Sequence, residues 1–275
     1  MTQSDILEQS AELISQARRV LYLTSAGMSA DSNIPTFRDK DGYWRNFPPF
    51  KEKNLEAQDL ASPWAFRNVL SHAWAFYEWR RRNADENSPH EGYHLINRWI
   101  SEHHPESFIH TTNTDGYHLI SGCPTDRIME VHGSMWRLQC LDVCNYQFWD
   151  ELSVPLCELD HDTMQASDLP RCQNCNSIAR PHILMFGDGE YIGHPEQEQN
   201  FRSFAGGSID LAILIGSSGA VPTNDYIAAQ VMTRGGKVIN INPDPSTNSI
   251  VETKYFIQMK SLEALVALDQ QAFNR

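Results

Sequence analysis

The sequence predicts an α/β fold, a parallel-sheet domain that carries a smaller helical and cysteine-bearing domain. Three observations predict it. A helix-patterned stretch leads straight into a short apolar run and a turn of small residues; further apolar runs recur along the chain; and four of the six cysteines form two close pairs.

Each element follows from its own pattern. Residues 4–17 place Ile6, Leu7, Ala11, Leu13, Ile14 and Ala17 at helical spacing, which predicts an amphipathic helix. Val20 to Thr24 is an apolar run followed by Ser25-Ala26-Gly27 and Ser29, the order in which nucleotide-binding α/β domains begin. Apolar runs at 108–112, 128–131, 183–186, 211–215 and 238–241, bounded by polar or glycine residues, predict strands buried on both faces of a parallel sheet. Two segments differ in character. Residues 44–87 are rich in Trp, Arg and Phe, with helical spacing at Val69, Leu70, Ala73, Trp74, Phe76 and Tyr77. Residues 140–175 hold the paired cysteines around a polar, Asp-rich middle without periodicity, which reads as a zinc-stabilised insertion with a loose tip.

Composition bounds the function. The 275 residues are 41% hydrophobic, enough for a sizeable core. A net charge of -13 argues against direct nucleic-acid binding, which needs clustered Lys and Arg to displace counterions from phosphates. No run of about 18 apolar residues is present, and Asp5, Glu8 and Glu12 interrupt the first stretch, so a cytoplasmic protein without a membrane span is expected.

Chemistry gathers at the ends of the expected strands. Small residues after a strand, as at Ala26, Gly27 and Ser29, let backbone N–H groups approach a phosphate. Thr112, Asn113 and Asp115 follow the 108–112 run, and the carboxyl end of a parallel strand is where ligand groups collect. His132 follows the next run, and an imidazole near neutrality suits general-base work. Cys140-x3-Cys144 and Cys172-x2-Cys175 offer four thiolates, enough for a closed tetrahedral zinc site with no position left for water. Cys123 and Cys157 stand outside that pattern.

These blocks, taken in order, resemble the motifs of the sirtuin (Sir2) family of NAD-dependent protein deacylases over about residues 18–265. Ser25-Ala26-Gly27-Met28-Ser29 continues to Ile34-Pro35-Thr36-Phe37-Arg38 and resembles G-A-G-x-S-x-x-S-G-I-P-x-F-R, with Ser25 and Asn33 in place of two glycines. Asn33 is a mild change because Asn tolerates a left-handed backbone. Ser25 adds bulk that could crowd the pyrophosphate. Thr111-Thr112-Asn113-Thr114-Asp115 resembles T-Q-N-x-D, with Thr112 for the family's Gln, and Glu130-Val131-His132-Gly133 resembles the catalytic V-H-G. Arg180-Pro181-His182-Ile183-Leu184-Met185-Phe186-Gly187-Asp188 is similar to R-P-x-V-V-x-F-G-E. Gly216-Ser217-Ser218-Gly219-Ala220-Val221-Pro222 is similar to G-T-S-x-x-V-x-P, and Ile241-Asn242 to I-N-x.

The resemblance implies a Rossmann-type NAD-binding domain from 1–42, 90–138 and 177–275, and a small helical and zinc-binding domain from 43–89 and 139–176. It implies NAD as a consumed co-substrate, held by Ala26, Gly27, Ser29, Ile34, Phe37, Arg38, Thr112, Asn113, Asp115, Gly216, Ser217, Ser218 and Asn242. Structural Zn2+ would sit on the four cysteines. His132 and Asn113 would serve the chemistry: the acyl-lysine oxygen attacks the anomeric carbon as nicotinamide leaves, and His132 deprotonates a ribose hydroxyl. Nicotinamide, free lysine and O-acyl-ADP-ribose result. The acylated protein lysine would lie against Phe186, Gly187 and Val221, although Asp188-Gly189-Glu190-Tyr191 departs from the family's loop. Tyr77-x-x-Arg80 resembles the class III sirtuin feature that holds malonyl or succinyl groups. The departures leave other readings open: an NAD glycohydrolase or ADP-ribosyltransferase with another acceptor, or a non-catalytic NAD or ADP-ribose sensor.

Overall fold

The computed structural model describes residues 2–36, 43–44 and 46–273. Phe37 and Arg38, both expected at the cofactor, lie outside the described residues. Eleven strands are found among those described: β1 (Val20–Thr24), β2 (Phe108–Thr111), β3 (Ile128–Glu130), β4 (Gly133–Cys140), β5 (Phe148–Asp150), β6 (Glu158–Asp160), β7 (Gln165–Ser167), β8 (Ala179–Ile183), β9 (Leu211–Ile215), β10 (Lys237–Ile241) and β11 (Tyr255–Ile257). Six of them form one parallel sheet in the order β11-β10-β9-β1-β2-β3.

Alternation along the central strands explains why helices cover both faces. Val20, Tyr22, Ile213, Ile215, Ile239 and Ile241 share one core with Ile14, Trp99 and Leu265 of the helices Gln3–Gln16, Glu91–Glu102 and Ser261–Ala272. Leu21, Leu23, Ala212, Leu214 and Val238 face the other way and share a second core with Phe204, Ala228 and Val231 of the helices Pro195–Ala205 and Thr223–Thr233. Each such side chain contributes about 1.5–3 kcal/mol on burial, so the apolar runs are sheet-forming because both faces are dry. β1 lies between β9 and β2, the place where the order of connection reverses and a crevice opens at the strand ends.

Two expectations are corrected here. Residues 183–186 do not enter the parallel sheet; β8 ends at Ile183 and pairs antiparallel with β4, in a separate sheet β5-β4-β8. Short apolar runs look alike whichever sheet receives them. The polar middle of the cysteine segment is also not loose. β6 and β7 form a hairpin against the helix Leu70–Glu86, where the Met164 carbonyl bonds His72 Nδ1 at 2.7 Å and Glu78 accepts from Leu156 N. Arg82 donates to the Cys157 carbonyl at 2.8 Å. Backbone groups, both carbonyls and an N–H, hold that tip, and they carry no sequence signal.

Candidate active site and metal centre

The carboxyl ends of β1, β2 and β3 open onto a cavity of about 750 Å³. Ala26 and Ser29 enter from the turn after β1, with Ile34 beyond it. Thr112, Asn113 and Asp115 enter from the end of β2, and His132 from the end of β3. Tyr77 and Arg80 reach in from the helix Leu70–Glu86, while Phe186, Gly187 and Val221 form the outer wall. Twelve expected site residues thus border one space. Gly27, Gly216, Ser217, Ser218 and Asn242 are not part of that wall and stand together beside it at the ends of β1, β9 and β10. Gly27 N–H donates to Gly216 O at 3.1 Å, and the Asn242 side-chain amide donates to the Ser217 carbonyl. A Cβ on Gly27 would stand 2.6 Å from Gly216 Cα, so the small residue permits this backbone contact.

His132 is held by geometry as well as by chain position. The next residue, Gly133, has φ +75°, and a Cβ there would lie 2.1 Å from His182 O. His132 Nδ1 lies 3.2 Å from the Thr112 carbonyl. A carbonyl can only accept, so Nδ1 carries the proton and Nε2 remains the basic nitrogen. Burial pushes the His132 pKa below its usual value, against the opposing pull of the Thr112 bond, so the ring is neutral at pH 7.

A polar network backs the opposite wall. Asn113 Nδ2 donates to Ser29 Oγ at 2.9 Å and to Ser25 O at 3.1 Å. Ser29 Oγ in turn donates to Asp115 Oδ2 at 2.6 Å. Asp115 Oδ1 accepts from Tyr117 N at 3.0 Å. Burial pushes the Asp115 pKa up, while these donors and Arg80 pull it down.

At the far end, the Tyr77 ring is fully buried and its hydroxyl has no hydrogen-bond partner among the described residues. The Arg80 guanidinium carbon lies 5.3 Å from the Tyr77 ring centroid, and Arg80 Nη2 donates to Thr114 Oγ1 at 2.9 Å. Thr114, Met185 and Asp188 also line the cavity and were not among the expected binding residues. Thr114 could have been found from its place between Asn113 and Asp115. The Asp188 side chain is buried, pairs with Arg180 at 2.7 Å and accepts from Glu190 N at 2.9 Å. The departure in that loop therefore ties the wall down.

The departures in the first motif have local explanations too. Asn33 adopts φ 60°, ψ 23°, the left-handed conformation its position requires. Ser25 is extended at φ -131°, and its hydroxyl meets Thr112 and Asn224.

Away from the cavity, the sulfurs of Cys140, Cys144, Cys172 and Cys175 all lie within 4.8 Å of one another, with two pairs at 3.6 Å. A tetrahedral ion with Zn–S bonds of about 2.3 Å needs sulfurs about 3.8 Å apart, so the donor set fits Zn2+. The extra residue between Cys140 and Cys144 is absorbed by a turn in which Val143 takes φ 49°. Cys123 and Cys157 are buried elsewhere, and burial pushes each thiol up to about 12.

A switch-point cavity fed by three strand ends, next to a backbone contact made by glycines and a separate thiolate quartet, defines an α/β enzyme built for a nucleotide and braced by a structural metal. Comparison with known proteins carries this further. Residues 25–223 match the model of the Sir2 family. An NAD-dependent protein deacylase of Leptospira interrogans is 31% identical over 251 residues, covering 91% of this chain and 92% of the relative. One from Deinococcus radiodurans is 35% identical over 244 residues, covering 86% and 88%. A crystal structure of a Sir2 homologue in complex with NAD superposes with TM-score 0.77 at 26% identity, covering 97% of this chain and 94% of that one. The chain belongs to the Sir2 family. Its fold is a Rossmann-like parallel sheet with a cysteine-quartet lobe, and NAD and structural zinc are its cofactors.

Proposed function

We propose that the enzyme is an NAD-dependent protein-lysine deacylase that prefers acyl groups ending in a carboxylate, such as malonyl and succinyl. The relatives named above are deacylases, and a mutant of a further Sir2 homologue, at 26% identity and TM-score 0.78, is seen in complex with 2'-O-acetyl ADP ribose. The observation that carries the acidic preference is the unpartnered Tyr77 hydroxyl beside Arg80 at the cavity's far end. A phenol that donates to nothing, next to a cation, is complementary to a carboxylate. In this reading NAD supplies the electrophilic ribose carbon and the nicotinamide leaving group. Asn113 and Asp115 orient the ribose and carboxamide, and His132 Nε2 accepts a ribose hydroxyl proton. Phe186, Gly187 and Val221 flank the acylated peptide, and Gly216, Ser217, Ser218 and Asn242 meet the rest of the cofactor.

The domain division belongs to the same proposal. All six strands of the main sheet fall within 1–42, 90–138 and 177–275, while the helix Leu70–Glu86 and the β6–β7 hairpin fall within 43–89 and 139–176. A cytoplasmic location is proposed with it: none of the six cysteines is in a disulfide, and no helix among the described residues is long and apolar enough to cross a membrane.

The test is incubation of the purified protein with NAD and succinyl-, malonyl- or acetyl-lysine peptide, followed by mass spectrometry. Nicotinamide, free peptide and O-acyl-ADP-ribose should appear together, and His132→Ala should abolish all three while keeping fold and zinc. Nicotinamide released equally without peptide would replace the deacylase with a glycohydrolase. No turnover of NAD under any condition would leave a sensor.

A further inference from the structure

We propose that Ser25 is a positioning residue for the reaction: its hydroxyl, fixed from behind by Asn224, sets Thr112, and the Thr112 carbonyl sets the ring of His132. The inference rests on the deacylase reading above. Ser25 stands behind the cavity wall, whereas Thr112, Asn113 and His132 form part of it. Its effect must therefore pass through them.

The backbone around Ser25 has little freedom. Ser25 N–H donates to Ile215 O at 3.0 Å, and the Gly27–Gly216 contact pins the following turn to the end of β9. Asn224, fully buried in the first turn of the helix Thr223–Thr233, reaches the same point from the other face of the sheet. Its Nδ2 donates to Thr24 O at 2.8 Å and to Ser25 Oγ at 3.1 Å.

That amide can be turned only one way. The Thr24 carbonyl can only accept, so Nδ2 faces it and Oδ1 faces His110 Nδ1 at 2.8 Å. Burial pushes His110 down to about 4, so this ring is neutral and carries its proton on Nδ1. Each polar atom of the Asn224 amide is then satisfied, provided that Ser25 Oγ accepts one of its hydrogens.

On the cavity side, Ser25 touches two consecutive wall residues. Thr112 Oγ1 donates to Ser25 Oγ at 3.2 Å, and Asn113 Nδ2 donates to Ser25 O at 3.1 Å. The Thr112 carbonyl is the group that accepts from His132 Nδ1. Loss of the Ser25 hydroxyl strands a buried Asn224 hydrogen and leaves Thr112 Oγ1 only its longer contact with Thr24 O at 3.4 Å. The Thr112 N–H still bonds Thr24 O at 3.0 Å, so the carbonyl that selects the ring's tautomer remains but is steadied by one contact fewer. Ser25 and Thr112 should therefore behave as one unit.

The experiment is a double-mutant cycle in the full chain, with Ser25→Ala, Thr112→Val and the pair. Each single variant should lower kcat on acyl-peptide by about three- to tenfold with KM for peptide little changed, and the double should be no worse than the poorer single. Ser25→Thr, which keeps the hydroxyl, should restore most of kcat. In parallel, the 15N shifts of the His132 ring should show one tautomer in the wild type and a mixture in Ser25→Ala and in Thr112→Val. A double variant whose loss is the product of the two singles, or an unchanged His132 tautomer in both singles, overturns the proposal. Wild-type protein that deacylates no peptide overturns the deacylase reading instead, and the ring nitrogens still decide the role of Ser25.

Discussion

Replacing Tyr77 by Phe separates what the hydroxyl does for substrate from what it costs the free enzyme, because the two effects have opposite signs. The Tyr77 side chain is fully buried, and its hydroxyl bonds to nothing among the described residues. A buried donor without a partner costs about 1–3 kcal/mol, so Tyr77→Phe should stabilise the protein by about 1 kcal/mol and raise Tm by about 2–4 °C. On the proposed acidic-acyl reading, a succinyl group would bring a carboxylate beside Arg80 to which the same hydroxyl would donate. A hydrogen bond to a charged group contributes about 1.5–3 kcal/mol, which is about a 10- to 150-fold change in kcat/KM. Tyr77→Phe should therefore lose at least about tenfold on succinyl-peptide and leave acetyl-peptide nearly unchanged. Arg80→Met should erase the succinyl preference chiefly through KM, since the carboxylate is held alike before and during reaction. Steady-state assays of released peptide on both substrates, together with a thermal melt, make the measurement. A fall in Tm for Tyr77→Phe, or an equal loss on acetyl- and succinyl-peptide, would refute the reasoning. Equal or better turnover of acetyl-lysine by the wild type would reject the acidic assignment alone.

Three further outcomes are expected. Cys175→Ser should lose zinc, read by elemental analysis, and with it cooperative melting, because binding by four thiolates and folding of that lobe are one equilibrium. Gly27→Ala would force a Cβ to 2.6 Å from Gly216 Cα, so it should destabilise by about 1–3 kcal/mol in a denaturant titration and weaken NAD binding. Burial lowers His110 and His182 to about 4 and His118 to about 3, below the roughly 6.5 of an unfolded chain. The unfolded state takes up these protons first, so the stability present above about pH 6.5 drains away as pH falls toward 4 and 3; denaturation midpoints in His118→Gln should show a flatter acid limb.

The parallel sheet was legible because its strands are dry on both faces: Leu211 to Ile215 is apolar without interruption, and so reads as a central strand in any sequence context. β8 was not, because Ala179 to Ile183 contains Arg180 and His182, buried polar residues that are held by Asp188 and by the Ile192 carbonyl. β11 was equally silent, since three residues at a sheet edge carry too little pattern to separate from loop. The cavity was largely visible through small-residue turns and strand-end polar groups. Asp188 and Asn224 were not visible as wall or support, because their roles depend on partners 8 and 114 residues away, Arg180 and His110.

The departures from the family's motifs are themselves informative once side chains are in place. Asn33 stands at φ 60°, where Asn is the best substitute for glycine, so the turn survives the exchange. Asp188, shorter than the Glu of the family motif, pairs with Arg180 and accepts from the backbone of Glu190, so the loop is tied down. Ser25 and Thr112 are the most telling, because each alone looks like a loss: a side chain added at a tight turn, and a threonine where the family motif has a long amide. Together they hydrogen-bond to each other, and the extended Ser25 backbone turns its hydroxyl toward Thr112 and Asn224. Two changes that meet in one contact are a single rearrangement of the wall. They count once when the distance of this site from the family's pattern is judged, which weakens the case for a redirected activity and strengthens that for a deacylase.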